Sequence, residues 1–168
     1  RALTDNVNLD GKSILDVGCG CGDLYDLIKT DYKINSRYLG VYILEKMVKR
    51  AESEHEEASF FLADIFDDSF FAEDAFGCCN FDITFTSGIF NLQAGNNEDF
   101  LKKAIPILAS LSTEAFVFNL LNPESPDPDN RYFYYAPEKA AELAEPFSKK
   151  IELIDGYLDN DYTLICWR

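Results

Sequence analysis

Histidine, methionine and tryptophan each occur once in this 168-residue chain, and its fifteen Lys and Arg face thirty Asp and Glu. Each shortage closes off a class of function. A formal charge of −15 leaves too few cations to neutralise phosphates, which disfavours a broad nucleic-acid or anionic-membrane surface. No apolar run approaches the ~20 residues of a membrane span, and no signal peptide is expected. The five cysteines are Cys19, Cys21, Cys78, Cys79 and Cys166, an odd set without zinc-type spacing. They do not form a disulfide framework, so reduced thiols and a cytoplasmic setting are expected, with no metal site. The lone His55, in an acidic stretch at the far end of the second expected helix, is expected to be exposed and idle as a base. The chain begins at Arg1 and not Met, which fits a trimmed or processed chain.

Aromatic residues, in contrast, are plentiful, with fourteen Phe and nine Tyr in a chain that is 47% hydrophobic. That is enough apolar surface for one domain with its own core, spanning residues 1–168. The most informative stretch is residues 14–24, I-L-D-V-G-C-G-C-G-D-L. A short apolar strand carries Asp16, passes through Gly18, Cys19, Gly20, Cys21 and Gly22, and enters an amphipathic segment. Glycines at alternate positions let a backbone turn sharply and meet a ligand without Cβ atoms in the way. The helix that follows aims free N–H groups at the same place. The spacing departs from the dinucleotide pattern G-x-G-x-x-G, whose third glycine would fall on Asp23.

Apolar runs and helical patterns alternate along the rest of the chain, the signature of a doubly wound α/β domain. Strands are expected at 13–17, 37–42, 58–63, 81–86, 114–121, 150–158 and 162–167. Helices are expected at 22–30, 44–54, 98–111 and 137–147, the third of them tolerating or kinking at Pro106. Residues 64–80 are acidic and Phe-rich, with room for one short helix, and 122–130 read as a proline-containing loop. The three residues 159–161 allow only a hairpin between the last two strands, because a parallel crossover needs a dozen residues or more. The expected sheet is therefore seven-stranded, mostly parallel, with a C-terminal antiparallel β-hairpin and helices on both faces.

D-x-G-x-G-x-G at the end of a first strand resembles the first motif of the class I, Rossmann-like, S-adenosylmethionine-dependent methyltransferases. The closing hairpin resembles that family from the other end of the chain, and the likeness covers about residues 12–168. The resemblance implies S-adenosylmethionine as cofactor, with Asp16 near its methionine end and Gly18, Cys19, Gly20 and Gly22 beside the sulfonium and ribose. It also leaves room for an N-terminal helix preceding residue 1. Residues 38–43, Y-L-G-V-Y-I, followed by Met47, resemble the second motif, in which Tyr42, Ile43 and Met47 would meet the cofactor. There the family has an acid that holds both ribose hydroxyls, whereas this chain has Tyr42. A phenol makes one good hydrogen bond where a carboxylate accepts two. Weakened binding, compensation by Glu45 or an altered pose, and a substitution peculiar to this chain all stay open. Residues 61–65, F-L-A-D-I, resemble the third motif, with Asp64 for the adenine amino group and Ile65 against the base. Residues 81–92 resemble the fourth, with Ser87 and Gly88 lining the methionine portion and Asp82 serving structure.

No catalytic signature fixes the methyl acceptor. The Asn-Pro-Pro-Tyr pattern and a Pro-Cys nucleophile are both absent. In-line transfer from a sulfonium tolerates this, since alignment and desolvation supply much of the rate. The acceptor pocket is expected to draw on Asn91 and on Arg131, Tyr132, Tyr134 and Tyr135, a basic residue among aromatics. The leading expectation is a small-molecule O- or N-methyltransferase. A methyltransferase-fold binding or regulatory protein that no longer turns over, and a protein methyltransferase, remain as alternatives. The oligomeric state is not legible.

Overall fold

The computed structural model describes residues 2–31, 33, 35–67 and 80–168. Its strands are β1 (Ser13–Val17), β2 (Arg37–Tyr42), β3 (Ser59–Leu62), β4 (Phe81–Thr86), β5 (Ser112–Leu121), β6 (Lys150–Ile154) and β7 (Asp161–Trp167). They form one sheet in the order β3-β2-β1-β4-β5-β7-β6. The first five are mutually parallel, and β7 runs antiparallel between β5 and β6. The order reverses between β1 and β4, and in open α/β sheets ligands bind outside the carboxyl ends of the strands at that point.

The helices are α1 (Ala2–Asp5), α2 (Asp23–Asp26), α3 (Glu45–Glu54), α4 (Asn97–Ser110) and α5 (Pro137–Ala144). Strand alternation decides what each face buries. Leu15 and Val17 face one way with Phe116 and Phe118, under Leu101, Ile105 and Leu108 of α4 and Ala140 of α5. Ile14 faces the other way with Ile83, Phe85 and Val117, under Ile28 and under Val48 and Ala51 of α3. The ends of β1 and β4 nearest their start are tied together by Asp82. Its Oδ2 accepts from the Ser13 N–H at 2.7 Å and from the Ser13 hydroxyl at 2.8 Å. These bonds hold the Asp82 carboxyl below its ordinary pKa. The structural role expected for Asp82 is the one it has.

The differences from expectation have local causes. The helix expected at 22–30 is α-helical only over Asp23–Asp26 and widens into a π turn over Leu27–Asp31. Its N-cap is Gly22 at φ +97°, which offers no capping side chain, so the first turn is weakly held. The strand expected to run to residue 158 stops at Ile154, because Asp155 leads into a turn in which Gly156 takes φ +72°. Strand β5 starts at Ser112, two residues early, and α4 starts at Asn97, where the Asn96 side chain accepts from the Asp99 N–H at 3.2 Å. The short helix allowed within 64–80, and Cys78 and Cys79, fall largely or wholly outside the described residues. Among the described residues, no helix is long and apolar enough to cross a membrane.

Helix α4 runs through Pro106 without ending. Proline there has no N–H for the Lys102 carbonyl and crowds it, a cost of about 3 kcal/mol in a helix interior. Pro106→Ala should therefore raise stability by about 1–3 kcal/mol, seen as a higher urea midpoint at unchanged slope.

Candidate functional site

The turn after β1 is fastened to β2, since the N–H groups of Gly18 and Cys19 both donate to the Val41 carbonyl, at 2.9 and 3.1 Å. Gly18 has φ +82°, and a Cβ there would lie 2.2 Å from Ile89 Cγ2 in the loop after β4. Glycine is thus required twice over, for its conformation and for the approach of the second loop. Gly20, at φ +59°, differs: no atom lies within 4 Å of where its Cβ would be. Its bare backbone faces open space, as the approach of a ligand demands.

His55 is not exposed, contrary to expectation. Its side chain is only 9% exposed. The residue caps α3 and leaves it with φ −137° and ψ 70°, which turns the ring back beneath the glycine turn. There Nε2–H donates to the Cys21 carbonyl at 3.0 Å, and Nδ1 stands 3.4 Å from Asp26 Oδ1. The ring packs against Tyr25 and Phe60, in space that a Cβ on Gly22 would invade at 2.6 Å.

Asp16 is buried on the face of β1 away from Val17, and its Oδ2 accepts a 2.6 Å hydrogen bond from the Tyr38 hydroxyl. Burial pushes its carboxyl up to about 7 despite the opposing pull of that bond. Burial, with Asp16 nearby, also pushes the Cys19 thiol up to about 12, which leaves it a packed thiol and not a nucleophile.

A cavity of about 330 Å³ opens at the carboxyl ends of β1, β2 and β4. Of the twelve residues expected to meet a cofactor, Gly18, Tyr42, Ile43, Asp64, Ile65 and Gly88 line it. Asp16, Cys19, Gly20, Gly22, Met47 and Ser87 do not. Its volume lies within the range of small-molecule sites, and its walls are mostly apolar, as such sites are. Asp64 Oδ1 accepts from the Phe66 N–H at 2.9 Å, a turn that brings Phe66 into the wall. Phe66 then packs on Phe100 of α4 at 5.2 Å between ring centroids. Glu45 is not in the lining; it pairs with Lys49 at 2.6 Å, which holds its carboxyl low. Phe66, Ile89, Leu92 and Phe100, with the strand-end residues Val17, Val41 and Ala63, complete the walls and were not anticipated. The signal for the first three was their place just past the ends of strands.

The loop after β4 is knitted to residues 129–135. Phe133 N–H donates to the Asn91 carbonyl at 2.9 Å, Gln93 N–H donates to the Arg131 carbonyl at 2.8 Å, and Leu92 pairs with Tyr132. Asn91 and Tyr132 therefore stand beside the cavity wall. Asn91 Oδ1 is buried with no hydrogen-bond partner among the described residues. Arg131 is committed to Asp129, with Nε and Nη2 at 2.9 and 2.5 Å from Oδ2. Tyr134 and Tyr135 brace the loop. The Tyr134 hydroxyl accepts from the Asp129 N–H at 2.9 Å, and the buried Tyr135 takes the Tyr162 hydroxyl on its carbonyl at 2.7 Å. Among the described residues, no cluster of three His, Cys, Asp or Glu is placed to hold a metal ion.

A family model described as "Methyltransferase domain" matches residues 14–110. No curated protein matches the chain by sequence. Solved structures of similar fold include a TehB-like SAM-dependent methyltransferase from Corynebacterium glutamicum, with 17% identity over 98% of this chain and 84% of that one, at a TM-score of 0.65. A second is an S-adenosylmethionine dependent methyltransferase from Mesorhizobium loti, with 16% identity over 96% and 93% of the two chains, at 0.67. A third is a complex between the Haloferax volcanii Trm112 methyltransferase activator and a putative methyltransferase, with 15% identity over 99% and 86%, at 0.68.

Two measurements probe the frame of this site. Asp16 has a folded pKa of about 7, above the ~3.9 of an unfolded chain, so its contribution to stability is full below about pH 4 and is lost as pH rises toward 7. Asp16→Asn does not titrate and should gain stability relative to the parent between pH 5 and pH 8, read by urea unfolding at both. Gly18→Ala should destabilise by about 2 kcal/mol or more, and Ile89→Ala in the same chain should recover part of that loss in a double-mutant cycle.

Proposed function

This chain belongs to the class I S-adenosylmethionine-dependent methyltransferases, and on that premise we propose that it methylates an oxygen or nitrogen of a small molecule. The observation that carries the proposal is the cavity at the switch point, bounded by bare glycine backbone on one side and by Tyr42, Asp64 and Phe66 on the other. The residues present suit the cofactor. Gly20 and Gly88 each leave open the space that a Cβ would fill, and Ile65 and Phe66 offer apolar surface to a purine. Asp64 offers a carboxylate to the adenine amino group, and Tyr42 a single hydroxyl to the ribose. Gly88 faces the methionine portion, with Ser87 beside it but off the wall and Asn91 and Tyr132 toward the acceptor. When bound, S-adenosylmethionine supplies an electrophilic methyl group on a sulfonium centre.

What the chain itself contributes is alignment and exclusion of water. The ionisable side chains lining the cavity are Tyr42 and Asp64, both from the β2–β3 side, and His55 is already engaged beneath the glycine turn. Rate enhancement here comes from holding the acceptor in line and desolvating it, without a general base among the described residues that line the cavity. Pairing of Arg131 with Asp129 favours a neutral acceptor over a carboxylate, and the charge of −15 opposes polyanions. Tyr42 favours one second reading, a protein that binds the cofactor weakly and serves by binding alone.

Calorimetric titration with S-adenosylmethionine and S-adenosylhomocysteine tests the site. Asp64→Ala should weaken both by about tenfold, and Tyr42→Asp should tighten both by about tenfold, the scale of one hydrogen bond gained or lost. Absence of binding in parent and variants alike would overturn the assignment of the cavity. Binding without methyl transfer to any of a panel of neutral phenols and amines would favour the second reading.

A further inference from the structure

Gly88 lies on the cavity wall, with φ +81° and no atom within 4 Å of the position a Cβ would take. Its open side faces the cavity, while its polar groups are held by the protein. The Gly88 carbonyl accepts from the Asn91 N–H at 3.2 Å. The Gly88 N–H donates to Asn119 Oδ1 at 2.8 Å. Asn119 is a buried residue of β5, and its Nδ2 donates to Asp161 Oδ2 at 2.9 Å, from the first residue of β7.

A side-chain amide has an accepting end and a donating end, and a carboxylate accepts only. Asp161 therefore decides which way Asn119 points: its NH₂ toward β7 and its oxygen toward Gly88. With the amide reversed, the NH₂ group would confront the Gly88 N–H, donor against donor, in a buried site where each unpaired group is costly. We propose that Asn119 and Asp161 are positioning residues that set the Gly88 turn to receive the amino-acid tail of the cofactor. This rests on the reading of the cavity given above. Neither side chain lines the cavity, so the effect passes through the Gly88 backbone.

The proposal separates two halves of one ligand. S-adenosylhomocysteine carries the amino-acid tail, whereas 5′-methylthioadenosine keeps the nucleoside and thioether without it. Calorimetry on the parent, Asp161→Ala and Asp161→Asn should find S-adenosylhomocysteine binding weakened about tenfold by Asp161→Ala, with 5′-methylthioadenosine binding unchanged. Asp161→Asn keeps a carbonyl oxygen for the Asn119 amide and should bind both ligands as the parent does. Asn119→Ser shortens the side chain out of reach of Gly88 and should repeat the selective loss, standing in if thermal unfolding shows that Asp161→Ala does not fold. Equal weakening of both ligands, or no weakening of either, would overturn the positioning role. Failure of the parent to bind either ligand would instead overturn the reading of the cavity, and the proposal with it.

Discussion

Ile89 occupies the volume that any side chain at residue 18 would need, and the site depends on that substitution of one chain segment for another. The loops after β1 and β4 leave the sheet on either side of the point where strand order reverses. Here the missing Cβ of Gly18 lets the second loop close against the first, so that Gly18, Gly88 and Ile89 share one cavity wall. The bonds from Gly18 and Cys19 to the Val41 carbonyl then carry the same constraint across to β2, where Tyr42 begins the opposite wall.

Behind the glycine turn lies a second dependency, the packed group of Tyr25, Tyr38, His55 and Phe60. Tyr25 and Tyr38 approach to 5.2 Å between ring centroids, and Tyr38 and Phe60 to 5.8 Å. Gly40 makes this possible: a Cβ there would lie 2.7 Å from the Phe60 ring and 2.9 Å from Cys19. Contacts of this kind contribute beyond their buried area. They also explain a tolerated expense, a carboxyl group at Asp16 buried so far that its pKa climbs to about 7. The Tyr38 hydroxyl is the partner that makes that burial tolerable, since an unpaired buried polar group costs more than the bond itself returns.

The fold was legible because its signals are local. Alternating β-strand residues, a glycine turn between strand and helix, and three residues between the last two strands each constrain their own neighbourhood. Strand β7 lies between β5 and β6, as an antiparallel closing hairpin allows but does not dictate. The site was legible in part, for the same reason. Tyr42, Asp64 and Gly88 follow strand ends and are found by counting from them. Tyr38, His55, Asn119 and Asp161 matter through partners 22 to 42 residues away. His55 sits in a run of glutamates that reads as solvated surface. Only the empty space beside Gly22, which no sequence pattern advertises, draws it inside. Arg131, a cation among aromatics, has a partner close by in sequence: Asp129, two residues before it, pairs with it.

The two polar relays share a geometry that explains why the cavity can be so apolar. Asp16 on β1 lies on the face of Ile14, and Asn119 on β5 lies on the face of Val117, which belong to one buried cluster. The cavity draws on Val17, Val41, Ile65 and Phe100, which pack on the opposite face. Polar groups thus hold the strand ends and their turns from one side of the sheet, while the ligand surface forms on the other. Had the acids that organise the turns also lined the cavity, a ligand would have to displace their solvent or neutralise their charge. Placed behind, Asp16 anchors Tyr38, and Asp161 anchors Asn119, whose oxygen holds the Gly88 N–H, so the turn after β4 needs little reordering when a ligand arrives. Asp64 is the exception that fits the rule: it lines the cavity but is exposed, so folding does not strip its carboxyl group of solvent.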